Sequence, residues 1–231
     1  FCAVPLLLIV SEPDLSTTLD VFAILFVMLF VAGLSYKIIG IGLLCLIPLA
    51  GSFVWYVKQP DPILLKDYQQ ERILSFLYPD EYASTTQYQQ DNSVMAIGSG
   101  QLFGKGLNNS TLATVKDANL ISEQQTDFIF SVVGEELGFV GSTVIIVILG
   151  LIVVQCIKTA RKASDSNGMF IATGVATLIG VQTFLNIGVA TSLLPNTGIP
   201  LPFISYGLSS LVSSCAGMGL VMNVSLQRRK Y

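Results

Sequence analysis

Five apolar runs, each close to the length of a membrane-crossing helix, dominate this chain: Leu15 to Leu34, Ile38 to Val57, Phe139 to Ile157, Phe170 to Leu194 and Phe203 to Leu226. About 20 residues of helix span a bilayer. Backbone in hydrocarbon must satisfy its own N–H and C=O groups, which a lone helix does. The runs therefore predict an all-α, polytopic transmembrane helix bundle of five complete spans. Composition agrees, since 12% of residues are charged where soluble domains carry about 25%. A further apolar stretch, residues 1–10, has no starting Met, basic n-region or cleavage site. It reads as the end of a helix that begins upstream, so residues 1–231 are expected to be a single membrane domain truncated at its N-terminus.

Charge placement sets the orientation. Lys37, Lys158, Arg161, Lys162, Arg228, Arg229 and Lys230 fall on one set of alternate connections, beside a single acid, Asp165. The other set is dominated by Lys58 to Asp127, which holds five basic residues and nine acids. The positive-inside rule puts the first set in the cytoplasm. Residues 58–126 then form one long extracytoplasmic loop, and the C-terminus is cytoplasmic. Within the loop, Leu64 to Leu77 has the apolar spacing of a helix that lies on the membrane surface or packs on the bundle with a solvated face, and Tyr82 to Ile97 is a weaker second helix.

Several chemistries are excluded or disfavoured. Without histidine, the chain has no imidazole base, Ser-His-Asp triad or His metal site. Cys2, Cys45, Cys156 and Cys215 are far apart in apolar stretches and read as small hydrophobes. No protein metal site is expected, and no nucleic-acid partner. Gly98 to Gly106 (GSGQLFGKG) has the wrong spacing for an ATP phosphate loop. A turn of exposed amides with Lys105 could still hold a diphosphate, or be purely structural.

Polar residues in apolar surroundings are the candidate functional groups, because a charge toward the bilayer centre costs roughly 3 kcal/mol on insertion scales. Asp127, Glu135 and Glu136 stand in TDFIFSVVGEELGFVG, residues 126–141. With Asp127 to Gly138 taken as a helical extension, Asp127 and Glu135 lie about 80° apart around the axis and Glu136 nearly opposite. Asp127 is the best candidate base, with a helix N-terminal acid as the structural alternative. Glu135 and Glu136 are expected to pair with polar groups of the bundle. Asp14 suits a helix cap. Asp20 is expected to face the bundle interior. Gln182 and Asn186 share a helix face and read as interhelical hydrogen-bonding groups. The connection from Leu194 to Gly207, with Pro195, Pro200 and Pro202, is too apolar for a solvated loop and is expected to line a cavity or re-enter the membrane.

The stretch TDFIFSVVGEELGFVG closely resembles a signature of the SEDS (shape, elongation, division and sporulation) family, which includes RodA, FtsW and SpoVE. Three more segments resemble its motifs in order: Glu12 to Thr17 (its Q-P-D-L-G-T), Ala96 to Gly106 (its A-I-G-S-G-G-L-x-G-K-G) and Gly198 to Gly207 (its G-I-P-L-P-F-x-S-Y-G-G). The resemblance spans the whole chain. It implies the second half of a ten-helix fold in the bacterial cytoplasmic membrane. It also implies a peptidoglycan glycosyltransferase that polymerises lipid II beside a class B penicillin-binding protein, with Asp127 as the essential carboxylate. Lys105, Lys116 and Arg72 are then the expected cations for the diphosphate, and Ser205 and Tyr206 further substrate contacts. A divalent cation is a possible cofactor. A lipid II flippase or a non-catalytic scaffold is the alternative. The sequence departs from the family pattern at Ile121-Ser122-Glu123, Asn109-Ser110-Thr111 and Leu208. The lead-in Ser122 to Gln125 looks more RodA-like than FtsW-like.

Overall fold

A computed structural model describes residues 15–59, 67–78, 86–107, 121 and 124–227. The stub at 1–10, Asp14, Lys116, Glu123 and the departure at residues 109–111 lie outside the described residues. The described residues form helices α1 (Leu15–Val31), α2 (Tyr36–Val57), α3 (Asp67–Leu77), α4 (Thr86–Ser99), α5 (Ile129–Arg161), α6 (Ser166–Ala190) and α7 (Leu208–Leu226). Each expected span falls on a helix, and both loop helices are present. By length and apolarity α5, α6 and α7 can each cross a membrane; Ser16–Val31 is a shorter apolar helix. The chain is thus a multi-pass membrane protein.

Local chemistry explains the boundaries. Helix α1 ends where Gly33 turns left-handed (φ 94°). Leu34 N–H then donates to Leu29 C=O, and Gly33 N–H to Phe30 C=O, at 3.1 Å each, the pairing that closes a helix on a glycine. Helix α2 tolerates Pro48 inside it, and its last carbonyls are capped from α3: Gln70 Nε2 donates to Val57 O and Gln59 O, both at 2.8 Å. Helix α6 starts on Asp165, whose carboxylate accepts from Gly168 N–H at 3.2 Å.

The bundle is centred on α6, which packs against α1, α5 and α7. Where α5, α6 and α7 cross, the buried residues are small: Cys156, Ala160, Ala172, Ala176 and Val221. Without a hydrophobic drive between helices in lipid, close backbone approach by small residues supplies the attraction. Cys45, Cys156 and Cys215 are unbridged, as expected. At the other end the packing turns polar. Helix α4 buries Gln90 and Ser93 completely, and these side chains bond carbonyls at and just beyond the end of α6. Gln90 Nε2 donates to Val189 O at 3.1 Å and Leu194 O at 2.8 Å; Ser93 Oγ donates to Ala190 O at 2.7 Å.

Asp20 is buried between α1 and α6, and its Oδ2 accepts from Gln182 Nε2 at 2.8 Å. Among the described residues Oδ1 has no partner. This is the interhelical role expected of Gln182. Gln182→Leu should therefore destabilise by about 1–2 kcal/mol, because it strands a buried carboxyl. Asp20→Leu combined with Gln182→Leu should recover most of that loss. Thermal unfolding of the full-length protein in detergent measures both.

Candidate active site

The glycine-rich segment after α4 docks into a break in α5. Gly138 (φ 67°, ψ −165°) interrupts that helix, so Glu135 and Glu136 carbonyls lose their usual partners, the amides of Phe139 and Val140. All four groups bond the glycine loop instead. Lys105 N–H donates to Glu135 O (2.9 Å) and Gly106 N–H to Glu136 O (3.0 Å), while Phe139 N–H donates to Gln101 O (2.8 Å) and Val140 N–H to Leu102 O (3.1 Å). Such contact needs bare backbone. A Cβ on Gly100 would lie 2.0 Å from Gly134 O, and one on Gly104 2.1 Å from Glu136 O. A structural turn is therefore the outcome for this segment: amides that could have cradled a diphosphate are bonded to α5.

The loop's cation is engaged as well. Lys105 Nζ pairs with Glu135 Oε1 at 2.7 Å, with Glu135 1% exposed. A buried carboxylate thus holds the ammonium expected to contact the diphosphate, and removing either partner strands the other. Glu135 finds its polar partner within this chain. Gln101 occupies the left-handed region (φ 50°) with its side chain exposed, where the family pattern has glycine. Gln101→Gly should raise stability by about 1 kcal/mol, read as a higher unfolding temperature.

Asp127 stands before α5, whose first residue is Ile129. The helical-extension geometry is thus overturned: Asp127 sits in a turn, and its angular relation to Glu135 and Glu136 is not that of one helix. Three consecutive carbonyls of this turn are held from the other side of the bundle. Tyr206 N–H donates to Gln125 O at 2.8 Å, Ser205 Oγ to Thr126 O at 2.6 Å, and Asn186 Nδ2 to Asp127 O at 2.8 Å. The donors come from the Pro-rich connection and from α6. That connection is non-helical, with Ile199, Leu201 and Ser205 buried. Three of its carbonyls are bonded by protein side chains: Leu194 O by Gln90, Thr197 O by Ser16 and Ile199 O by Asn186.

The Asp127 carboxylate and a cation both approach Gly198. A Cβ built on Gly198 (φ 72°) would lie 3.4 Å from Asp127 Oδ2 and 3.7 and 3.9 Å from Nη1 and Nη2 of Arg72. Helix α3 thus delivers Arg72 to the mouth where α5 begins. Of the predicted substrate-contacting residues, the structure brings Arg72 to the glycine that Asp127 also approaches and leaves the Tyr206 side chain 79% exposed nearby in the chain path. Ser205, expected as a substrate contact, is buried, accepts from Leu201 N–H at 2.7 Å and donates to Thr126 O. Asn186, expected among the structural hydrogen-bonding groups, donates to main-chain carbonyls, Asp127 O and Ile199 O, both at 2.8 Å. Glu136 is partly exposed on the broken helix. Among the described residues no three acids or cysteines gather as a metal site.

A family profile described as "Cell cycle protein" (FtsW, RodA, SpoVE) matches residues 1–230. A probable peptidoglycan glycosyltransferase FtsW from Geobacter metallireducens is 36% identical over 98% of this chain and 57% of its own length. The peptidoglycan glycosyltransferase MrdB of Escherichia coli is 34% identical over 97% and 58%. Stage V sporulation protein E of Bacillus subtilis is 40% identical over 96% and 57%. The chain therefore spans little more than half the length of these relatives. Identity does not separate these three relatives. Among solved structures, one described as "Structural coordination of polymerization and crosslinking by a peptidoglycan synthase complex" superposes with TM-score 0.75 at 30% identity, over 100% of this chain and 62% of that one. A point mutant of the rod shape determining protein RodA of Thermus thermophilus gives TM-score 0.59 at 27% identity, over 100% and 57%.

Proposed function

This chain belongs to the FtsW, RodA and SpoVE family of cell cycle proteins, and from that premise we propose that the full protein polymerises lipid II into glycan strands. The observation that carries the reading is the approach of the Asp127 carboxylate and the Arg72 guanidinium to the same point at Gly198. Asp127 takes the proton of the acceptor GlcNAc 4-hydroxyl as its oxygen bonds to the anomeric carbon of the donor. The bond from that carbon to the diphosphate oxygen breaks, and undecaprenyl diphosphate leaves with the electron pair. Arg72 supplies a fixed positive charge for diphosphate, in the bidentate geometry guanidinium favours. Lys116 is a second candidate cation, and the exposed Tyr206 ring a surface for sugar.

In this reading Asp127, Arg72 and the Pro-rich connection face the extracytoplasmic side of the inner membrane, in line with the positive-inside distribution. The partner is a class B penicillin-binding protein that crosslinks the strands; the synthase complex with the same fold supports it. The test uses the full-length protein with that partner in proteoliposomes, given lipid II labelled in its disaccharide. Glycan strands with matching release of undecaprenyl diphosphate are expected. Transbilayer movement of intact lipid II without polymer would overturn the reading in favour of a flippase. Neither polymer nor movement would leave a scaffold.

A further inference from the structure

We propose that Asn186 and Ser205 are positioning residues that set the direction of the Asp127 side chain by holding the two peptide planes on either side of its Cα. The inference rests on the reading of Asp127 as the base. A peptide unit is planar, so restraining a carbonyl's direction restrains the tilt of its plane. The Thr126 carbonyl lies in the plane before the Asp127 Cα, and the Asp127 carbonyl in the plane after it. Ser205 Oγ holds the first at 2.6 Å and Asn186 Nδ2 the second at 2.8 Å. With both planes held, φ and ψ of Asp127 are restrained, and with them the vector from Cα to Cβ.

Both donors are themselves immobilised. Asn186 is 1% exposed, one turn before the end of α6. An amide NH2 has two protons, and Asn186 spends them on Asp127 O and Ile199 O, both at 2.8 Å. It therefore ties the catalytic turn to the Gly198 segment, which meets the carboxylate from the other side. Ser205 is 8% exposed, and its oxygen accepts from Leu201 N–H at 2.7 Å, so its proton is turned toward Thr126 O. Neither side chain needs to touch substrate; each acts through Asp127.

The experiment measures kcat and KM for lipid II in the full-length protein with its partner, for Asn186→Leu, Ser205→Ala, Ser205→Thr and Asp127→Asn. A misplacement on the order of 1 Å costs about 100-fold in rate. Asn186→Leu is expected to approach that loss in kcat, and Ser205→Ala about 10-fold, each with KM close to wild type. Ser205→Thr, which keeps the hydroxyl, should restore kcat. A merely structural role would lower the yield and unfolding temperature while the folded fraction kept wild-type kcat, with no rescue by threonine; that result overturns the proposal. Should Asn186→Leu fail to fold, the two Ser205 variants decide. If Asp127→Asn is inactive while Asn186→Leu and Ser205→Ala turn over normally, positioning fails alone. If Asp127→Asn keeps wild-type turnover, the reading of Asp127 has failed, and this proposal with it.

Discussion

Asp127→Asn is expected to lower lipid II polymerisation by about 10²- to 10⁴-fold, the usual worth of a positioned general base, while the protein still folds and binds lipid II. The amide is nearly isosteric with the carboxylate, and the clamped backbone of the turn does not depend on it. Tyr206, Ser205 and Asn186 all bond main-chain carbonyls. What is lost is a proton acceptor at a hydroxyl that must be deprotonated as it attacks. Separating the two requires polymer formation and lipid binding to be measured on the same preparation. Polymerisation at the wild-type rate would remove Asp127 from the chemistry. Loss of polymer together with loss of lipid binding would make it a substrate ligand instead.

Much of the architecture was legible because lipid imposes a simple rule on sequence: long apolar runs became helices near their expected places, and Leu64 to Leu77 contained a helix at Asp67–Leu77. The limits of that rule show at two elements. The fourth span stops at Ala190 rather than Leu194, and the fifth starts at Leu208 rather than Phe203. Ile199 and Leu201 between them are buried without being helical, so hydropathy does not distinguish this stretch from a span. The break at Gly138 was harder still. Helical residues flank it on both sides, and it is stabilised by main-chain groups of Gln101, Leu102, Lys105 and Gly106, more than thirty residues away. Backbone hydrogen bonds carry no side-chain signature. The available signal was a second cluster of glycines, Gly134, Gly138 and Gly141, facing the one at Gly98 to Gly106. The same blindness hid Asn186, whose partners are carbonyls common to every residue type. Arg72 and Asp127 were legible as individual charges, but their common approach to Gly198 was not.

That glycine contact yields the largest expected effect on stability. Gly138 combines a dihedral pair essentially restricted to glycine with a Cβ position 2.3 Å from Gly104 N and 2.8 Å from Leu102 O. The backbone conformation alone would cost alanine about 3 kcal/mol. The clash lies against main chain, which cannot swing aside as a flexible side-chain end would. Gly138→Ala is thus expected to exceed about 4 kcal/mol, the exceptional end of point substitutions, and to release the loop with its Lys105–Glu135 pair. Gly98→Ala is the internal control. It lies in the same motif, but within α4, and a Cβ there would meet nothing within 4 Å. It should be neutral or stabilise by about 0.5–1 kcal/mol through the higher helix propensity of alanine. Folded yield and unfolding temperature of the two full-length variants make the comparison, and equal behaviour would mean that the loop is not seated in the broken helix. A released loop also has a consequence for the site. Helix α4 runs directly into it and carries Gln90 and Ser93, which cap the end of α6, just beyond Asn186. Gly138→Ala should therefore lower turnover in whatever fraction still folds, although Gly138 lies eleven residues from Asp127.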